Sequence, residues 1–266
     1  MSRIGEMFEA KRKTGNAKPS FMPYVCCGDP SQEFTLRLVE TLVSSGASAI
    51  EFGIPFSDPI ADGKTIQAAS ARSLAAGMTP AKAVETIALL RRRGVGVPII
   101  AMTYYNIIFA NGTEKFLKSL KAAGADGLIV PDVPIEESGE LRKKCAQAGI
   151  EMVQLITPNC PDARISRIAA SSGGFLYAVS VLGITGARDK VAPEALDLVK
   201  RAKKLTSLPI AVGFGISKPE HANALAQAGA DGVIVGSEIV NLYTNAKNGE
   251  EALAEIAAFA KSMSGK

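Results

Sequence analysis

The chain has 266 residues, 47% of them hydrophobic, and 30 Lys and Arg against 26 Asp and Glu leave a net charge of +4. Apolar runs recur at near-even spacing throughout, so one large domain over 1–266 with a substantial core is expected rather than two small ones. A charge this mild and scattered argues against nucleic acid or an anionic membrane surface as partner, no apolar run approaches the roughly 20 residues of a membrane span, and MSRIGEMFEAKRK at the start lacks a signal-peptide core, which points to the cytoplasm.

Residues 4–13 read as a short amphipathic helix suited to closing one end of a barrel. A first strand over 21–27 ends at the turn Gly28-Asp29-Pro30, and Ser31 caps a helix to about 45 that keeps Leu36, Leu38, Val39, Leu42 and Val43 on helical spacing. The second strand, 48–53, leads into a long loop, a helix over 65–76, and a further helix over 80–93 with Thr79 as cap and Pro80 in its first turn. Arg91, Arg92 and Arg93 end that helix, where cations complement its dipole. Next come a strand over 98–104, a helix from near 113 to 124, a strand over 127–130 and a helix over 136–148. A strand over 151–156, a helix over 162–171 and a strand over 175–181 precede the loop 182–188 and a helix from about 193. Strands over 210–213 and 232–236 flank a helix over 219–228, and a long helix rich in Ala and Glu finishes the chain.

That is eight strand–helix alternations, with strands that are apolar rather than alternating, as parallel strands buried on both faces require. Three segments repeat a helix end, a Gly stop and a strand: SGASAIEFG from Ser45, AGADGLIV from Ala123 and AGADGVIVG from Ala228. The repeat favours a closed (β/α)8 TIM barrel, with an added N-terminal helix and an extra helix after the second strand's loop, over an open doubly wound sheet.

Chemistry in such barrels sits at the carboxyl ends of the strands, and the stretch 49–67, AIEFGIPFSDPIADGKTIQ, places two carboxylates there. Glu51, among apolar neighbours at a strand exit, should have a raised pKa suited to giving and taking protons near neutrality, whereas Asp62 on a polar loop should stay ionised. The plainer alternative makes Asp58 and Asp62 turn formers and helix caps and Glu51 a satisfied strand-end residue. Glycine-rich segments follow strands six, seven and eight: Gly183 to Gly186, Gly213 to Ser217, and Gly236-Ser237. Backbone N–H groups there can approach an oxyanion closely, and a helix beginning at Ser237 would aim its amides at phosphate; tight turning alone is the alternative use of these glycines. Cys26, Cys27, Cys145 and Cys160 lack metal-ligand spacing, and with His221 as the one histidine neither a multi-His metal site nor a His triad has material to build on.

The loop IEFGIPFSDPIADGKTIQ, with Gly28-Asp29-Pro30 before it, Val130-Pro131-Asp132-Val133-Pro134 after it and Gly213-Phe214-Gly215 and Gly236-Ser237 at the end, resembles the tryptophan synthase alpha chain family across essentially the whole chain. The resemblance implies a lyase that cleaves indole-3-glycerol phosphate to indole and glyceraldehyde 3-phosphate without metal or organic cofactor. It implies Glu51 as proton shuttle, Asp62 as partner of the indole N–H, Tyr177 positioning Glu51, and Thr185 closing towards Asp62. By the same resemblance Gly186, Gly215, Gly236 and Ser237 bind phosphate, and Tyr24, Met102, Ile129, Phe214 and Ile234 line the indole pocket. Lys64, Tyr24 and Val181 depart from common family residues, Pro, Phe and Arg respectively. A pyridoxal-phosphate-dependent beta chain in an α2β2 heterotetramer is the implied partner, with contact expected at Pro55, Asp58, Asn106, Asp132 and Pro134. A free-standing lyase, a related phosphate-binding barrel enzyme such as indole-glycerol-phosphate synthase, and a non-catalytic ligand-binding regulatory subunit remain alternatives.

Overall fold

The computed structural model describes residues 2–15, 18–179, 191–213 and 215–266. Eight strands, β1 (Ser20–Cys26), β2 (Ile50–Gly53), β3 (Ile99–Met102), β4 (Gly127–Ile129), β5 (Glu151–Ile156), β6 (Leu176–Val179), β7 (Ile210–Gly213) and β8 (Gly232–Val235), pair in parallel in chain order, and β8 returns to β1 to close the barrel. Alternate side chains explain why the strands read as continuous apolar runs. Met22, Ile100, Ile129, Val153, Tyr177, Ala211 and Ile234 fill the interior, while Phe21, Phe52, Ile99, Leu128, Leu176 and Val233 face outward into the layer beneath the helices.

The amino-terminal mouth is closed by α1 (Arg3–Lys13), whose Ile4 and Phe8 plug the interior layer. Its Arg3 reaches Asp126 at 2.8 Å, and the same carboxylate takes Arg91 at 2.7 Å and the Ile99 N–H at 2.9 Å. The repeated segments acquire a physical meaning here. Gly46, Gly124 and Gly229 all take φ near +100° (106°, 96° and 105°), a left-handed conformation that turns each helix end back into a strand. In two of the repeats the Asp then holds the neighbouring strand: Asp126 accepts from Ile99 N, and Asp231 from Ile210 N at 2.8 Å.

The remaining helices are α2 (Gln32–Ser44), α3 (Lys64–Ala75), α4 (Pro80–Arg92), α5 (Tyr105–Ala110), α6 (Thr113–Ala123), α7 (Gly139–Ala148), α8 (Asp162–Ala169), α9 (Pro193–Leu205), α10 (Pro219–Ala228), α11 (Ser237–Asn245) and α12 (Gly249–Ser264). The caps fall where expected: Ser31 accepts from Phe34 N, and Thr79 from Lys82 N ahead of Pro80. The extra helices at the N-terminus and after β2 are present as α1 and α3. Two segments differ from the sequence-based expectation. The strand drawn to 104 stops at Met102, and α5 follows it, a six-residue helix too short to leave a periodic signature. The helix drawn from 136 starts at Gly139, because 134–138 is a turn in which Glu137 N bonds Pro134 O and Ser138 Oγ bonds Ile135 O. Among the described residues no helix is long and apolar enough to cross a membrane.

Candidate active site

Glu51 projects inward near the carboxyl end of β2, level with Tyr24 of β1 and Ile100 of β3. It is 2% exposed, and its Oε1 has no hydrogen-bond partner among the described residues. An ionised carboxylate is costly in such a setting. Burial, and then the neighbouring Asp62 charge, push its pKa up to about 8.

Asp62, expected to stay ionised on a polar loop, proves to be buried. It is 6% exposed, and burial lifts its pKa to about 6, opposed by a hydrogen bond that Tyr104 donates to Oδ2 at 3.0 Å. The loop folds inward because Tyr104 Oη also accepts the Ala61 N–H at 3.0 Å, the Tyr104 ring stacks on Phe56 at 5.2 Å, and Gln67 donates to the Asp62 carbonyl at 2.8 Å. The capping alternative does not hold for Asp62, since α3 is capped by Gly63 without any side-chain bond. Asp58, bonded to Ser57, remains an exposed turn residue. At pH 7 the pair therefore divides its roles, Glu51 holding a proton and Asp62 largely ionised.

Two buried tyrosines flank the pair. Tyr177 of β6 lies across Gly213 of β7, and Tyr24 lies across Gly53 of β2; a Cβ at either glycine would collide with the phenol oxygen. Burial raises both phenol pKa values, with Glu51 and Asp62 adding to the effect, so both stay protonated. Ile129 and Ile234 belong to the interior layer, and half-buried Met102 bridges it to the cluster of Tyr24, Cys26, Ile66, Ala69 and Val240.

Gly215 has φ +73° with open space where a Cβ would stand, and Gly236 precedes α11, whose first residue, Ser237, is exposed. A Cβ on Gly236 would meet Tyr24 at 3.3 Å and Ile66 at 3.5 Å, so backbone there packs tightly against the pocket wall. Thr185, Gly186 and Phe214, together with Val181, lie outside the described residues. Of the expected contact residues, Asp58, Asn106, Asp132 and Pro134 are exposed, whereas Pro55 is buried and offers no surface. Asp132 accepts the Tyr105 N–H at 3.0 Å, tying the β4 exit to α5. Beside these stand Ile60 (79% exposed), Phe109 (68%) and Tyr105 (37%), apolar side chains that sequence reading missed. Tyr104 was also missed, although a tyrosine two residues beyond a strand end was the available signal.

A closed barrel with two desolvated carboxylates of unlike pKa at its carboxyl-terminal mouth defines an acid–base enzyme of the (β/α)8 class. Residues 8–266 match the family model of the tryptophan synthase alpha chain. The chain belongs to that family. The tryptophan synthase alpha chain of Carboxydothermus hydrogenoformans is 44% identical over 245 residues, 92% of this chain and 90% of its own. That of Methanosarcina barkeri is 45% identical over 260 residues, 98% and 96% of the two chains. A structure of the tryptophan synthase α2β2 complex of Pyrococcus furiosus, studied for mutual activation, contains a chain 39% identical, with TM-score 0.85 over 94% of this chain and 99% of that one.

Proposed function

We propose that this chain cleaves indole-3-glycerol phosphate to indole and glyceraldehyde 3-phosphate in tryptophan biosynthesis, with Glu51 and Asp62 as the reacting groups. The observation that carries the reading is the buried pair: Glu51, 2% exposed with an unpartnered Oε1, and Asp62, 6% exposed and hydrogen-bonded by Tyr104 at 3.0 Å, environments that push the first pKa up to about 8 and the second to about 6. Protonated Glu51 gives its proton to indole C3, and ionised Asp62 accepts from the ring N–H as the cation forms. The bond between C3 and the hydroxyl-bearing carbon then breaks, its electron pair restores the indole ring, and the hydroxyl proton passes to the Glu51 carboxylate as the aldehyde forms. The proton given is thus returned, so the residues act catalytically without a cofactor. Tyr177 holds Glu51 in place, and Tyr24, Met102, Ile129, Phe214 and Ile234 line the indole pocket. Gly186, Gly215, Gly236 and Ser237 take the phosphate, consistent with the open approach at Gly215 and the α11 N-terminus, while Thr185 closes over Asp62. A beta chain carrying pyridoxal phosphate is the partner, in an α2β2 assembly of the kind solved for Pyrococcus furiosus. The four cysteines are free and buried, which suits the reducing cytoplasm.

Indole release from indole-3-glycerol phosphate, by the chain alone and with a beta chain added, tests this reading. Release that is slow alone and rises with the partner is expected; fast release alone would indicate a free-standing lyase, and none in either case the regulatory subunit. Glu51→Gln should lower kcat by about a thousandfold or more while ligand binding stays near the parent value. Turnover near the parent rate in that variant would remove Glu51 from the mechanism.

A further inference from the structure

Asp29, in the turn after β1, is a third buried carboxylate at this mouth and is 0% exposed. Its oxygens are held from two helices. Arg72 of α3 donates Nε to Oδ1 at 2.9 Å and Nη2 to Oδ2 at 2.6 Å, and Tyr243 of α11 donates its hydroxyl to Oδ2 at 2.5 Å. A charge removed from water is tolerable when paired and hydrogen-bonded in this way, and breaking one link leaves the remainder exposed to the desolvation cost. Hydrogen bonding to Asp29 raises the Arg72 pKa, and burial followed by the Asp29 charge raises that of Tyr243, so the guanidinium and the phenol both keep their protons.

Both helices begin at the site. α3 starts directly after Asp62 and Gly63, and its Gln67 holds the Asp62 carbonyl at 2.8 Å. α11 starts at Ser237, directly after Gly236. Between them Ile66 and Ala69 of α3 pack on Val240 of α11 around Tyr24. Such apolar contact is non-directional and leaves the sliding of one helix along the other weakly fixed. The bonds to Asp29 are directional, and they join the two helices through one fully buried group anchored in the barrel turn.

We propose that Asp29 is a positioning residue: the Arg72–Asp29–Tyr243 clamp sets the register of α11 against α3 and so fixes the distance between the phosphate end of the site and Asp62. The inference rests on the assignment of Gly236 and Ser237 to phosphate. Misplacing a bound group by about 1 Å is enough to slow chemistry, so Asp29 can act on the site although its full burial keeps it from reaching a ligand itself.

The test uses Tyr243→Phe, which removes one bond and no charge, and Asp29→Asn, which removes the charge. Affinities for glycerol 3-phosphate and for indole are measured separately by calorimetry, alongside thermal melting. Tyr243→Phe should weaken glycerol 3-phosphate binding about three- to tenfold and leave indole binding within about twofold; Asp29→Asn should weaken the former by about tenfold or more, and the double variant should match Asp29→Asn alone. A lowered melting temperature with unchanged glycerol 3-phosphate affinity in Tyr243→Phe overturns the clamp and leaves a stabilising contact, even if Asp29→Asn does not fold. Equal losses for both ligands overturn it as well. If the parent chain itself binds no glycerol 3-phosphate, the phosphate assignment is what has failed, and the clamp falls with it.

Discussion

Glu51 and Asp62 lie eleven positions apart, and their difference in environment, rather than their chemistry, decides their roles. The sequence carried Glu51 well, because Ile50, Phe52 and the glycine stop around it mark a buried strand end. It gave Asp62 as an ionised loop residue but not its burial, because the group that brings the loop inward, Tyr104, stands beyond the end of β3, 42 positions later. The consequence is a pH profile with two limbs. kcat/KM should rise with a midpoint near pH 6 as Asp62 ionises and fall with one near pH 8 as Glu51 loses its proton. Tyr104 stabilises the ionised form of Asp62, so Tyr104→Phe should move the rising limb towards higher pH and leave the falling limb in place. The substrate phosphate also titrates near pH 6. A rising limb that does not move in Tyr104→Phe would assign it to the phosphate instead of Asp62, which makes the paired profiles the informative measurement.

Helix caps, glycine stops and the apolar strand runs were legible because each is a local rule: Ser31, Thr79 and the repeated Gly-Ala stops act within a few residues of themselves. α5 was not, since Tyr105 to Ala110 make fewer than two helical turns and leave no periodic signal between the strand drawn to 104 and the helix from 113. The relation between neighbouring strands was equally hidden. Gly213 closes β7 with an apolar run, and nothing in that run reveals that the phenol of Tyr177, 36 positions earlier, occupies the space a side chain would need. Gly213→Ala is therefore expected to destabilise the fold by roughly 1–3 kcal/mol through overpacking and to displace Tyr177 from Glu51. Activity should fall about tenfold or more, and Tyr177→Phe combined with Gly213→Ala should recover part of the stability loss by removing the colliding oxygen. Denaturant midpoints for the three variants decide it: no recovery in the double variant would place the cost elsewhere.

At the scale of the whole molecule, barrel and mouth were readable because eight similar units constrain one another, whereas the surface around the mouth was not, because exposure of a single Phe or Ile leaves no pattern. Exits of β2, β3 and β4 meet there: Ile60 and Phe109 stand exposed, and Asp132 ties the third exit to α5 through Tyr105 N. Ile60 is two residues from Asp62, and the turn between them is fixed by Ile60 N to Asp58 O at 2.9 Å and Asp62 N to Pro59 O at 3.0 Å. A partner that buries Ile60 therefore presses on the segment that orients Asp62, which gives a beta chain a direct route to activation by favouring the ordered loop. Phe109 sits on α5 and not on that segment, so it is expected to contribute area alone. The two side chains should separate affinity from activation. Phe109→Ser should raise the beta-chain concentration for half-maximal activation about tenfold and leave the maximal rate near that of the parent. Ile60→Ser should lower the maximal rate at saturating beta chain, with the rate of the isolated chain within about twofold of the parent. Titration of indole release against beta-chain concentration reads both quantities at once. If Ile60→Ser changes half-saturation and nothing else, the partner acts on the site by another route, and the rim is a docking surface without a hand in gating.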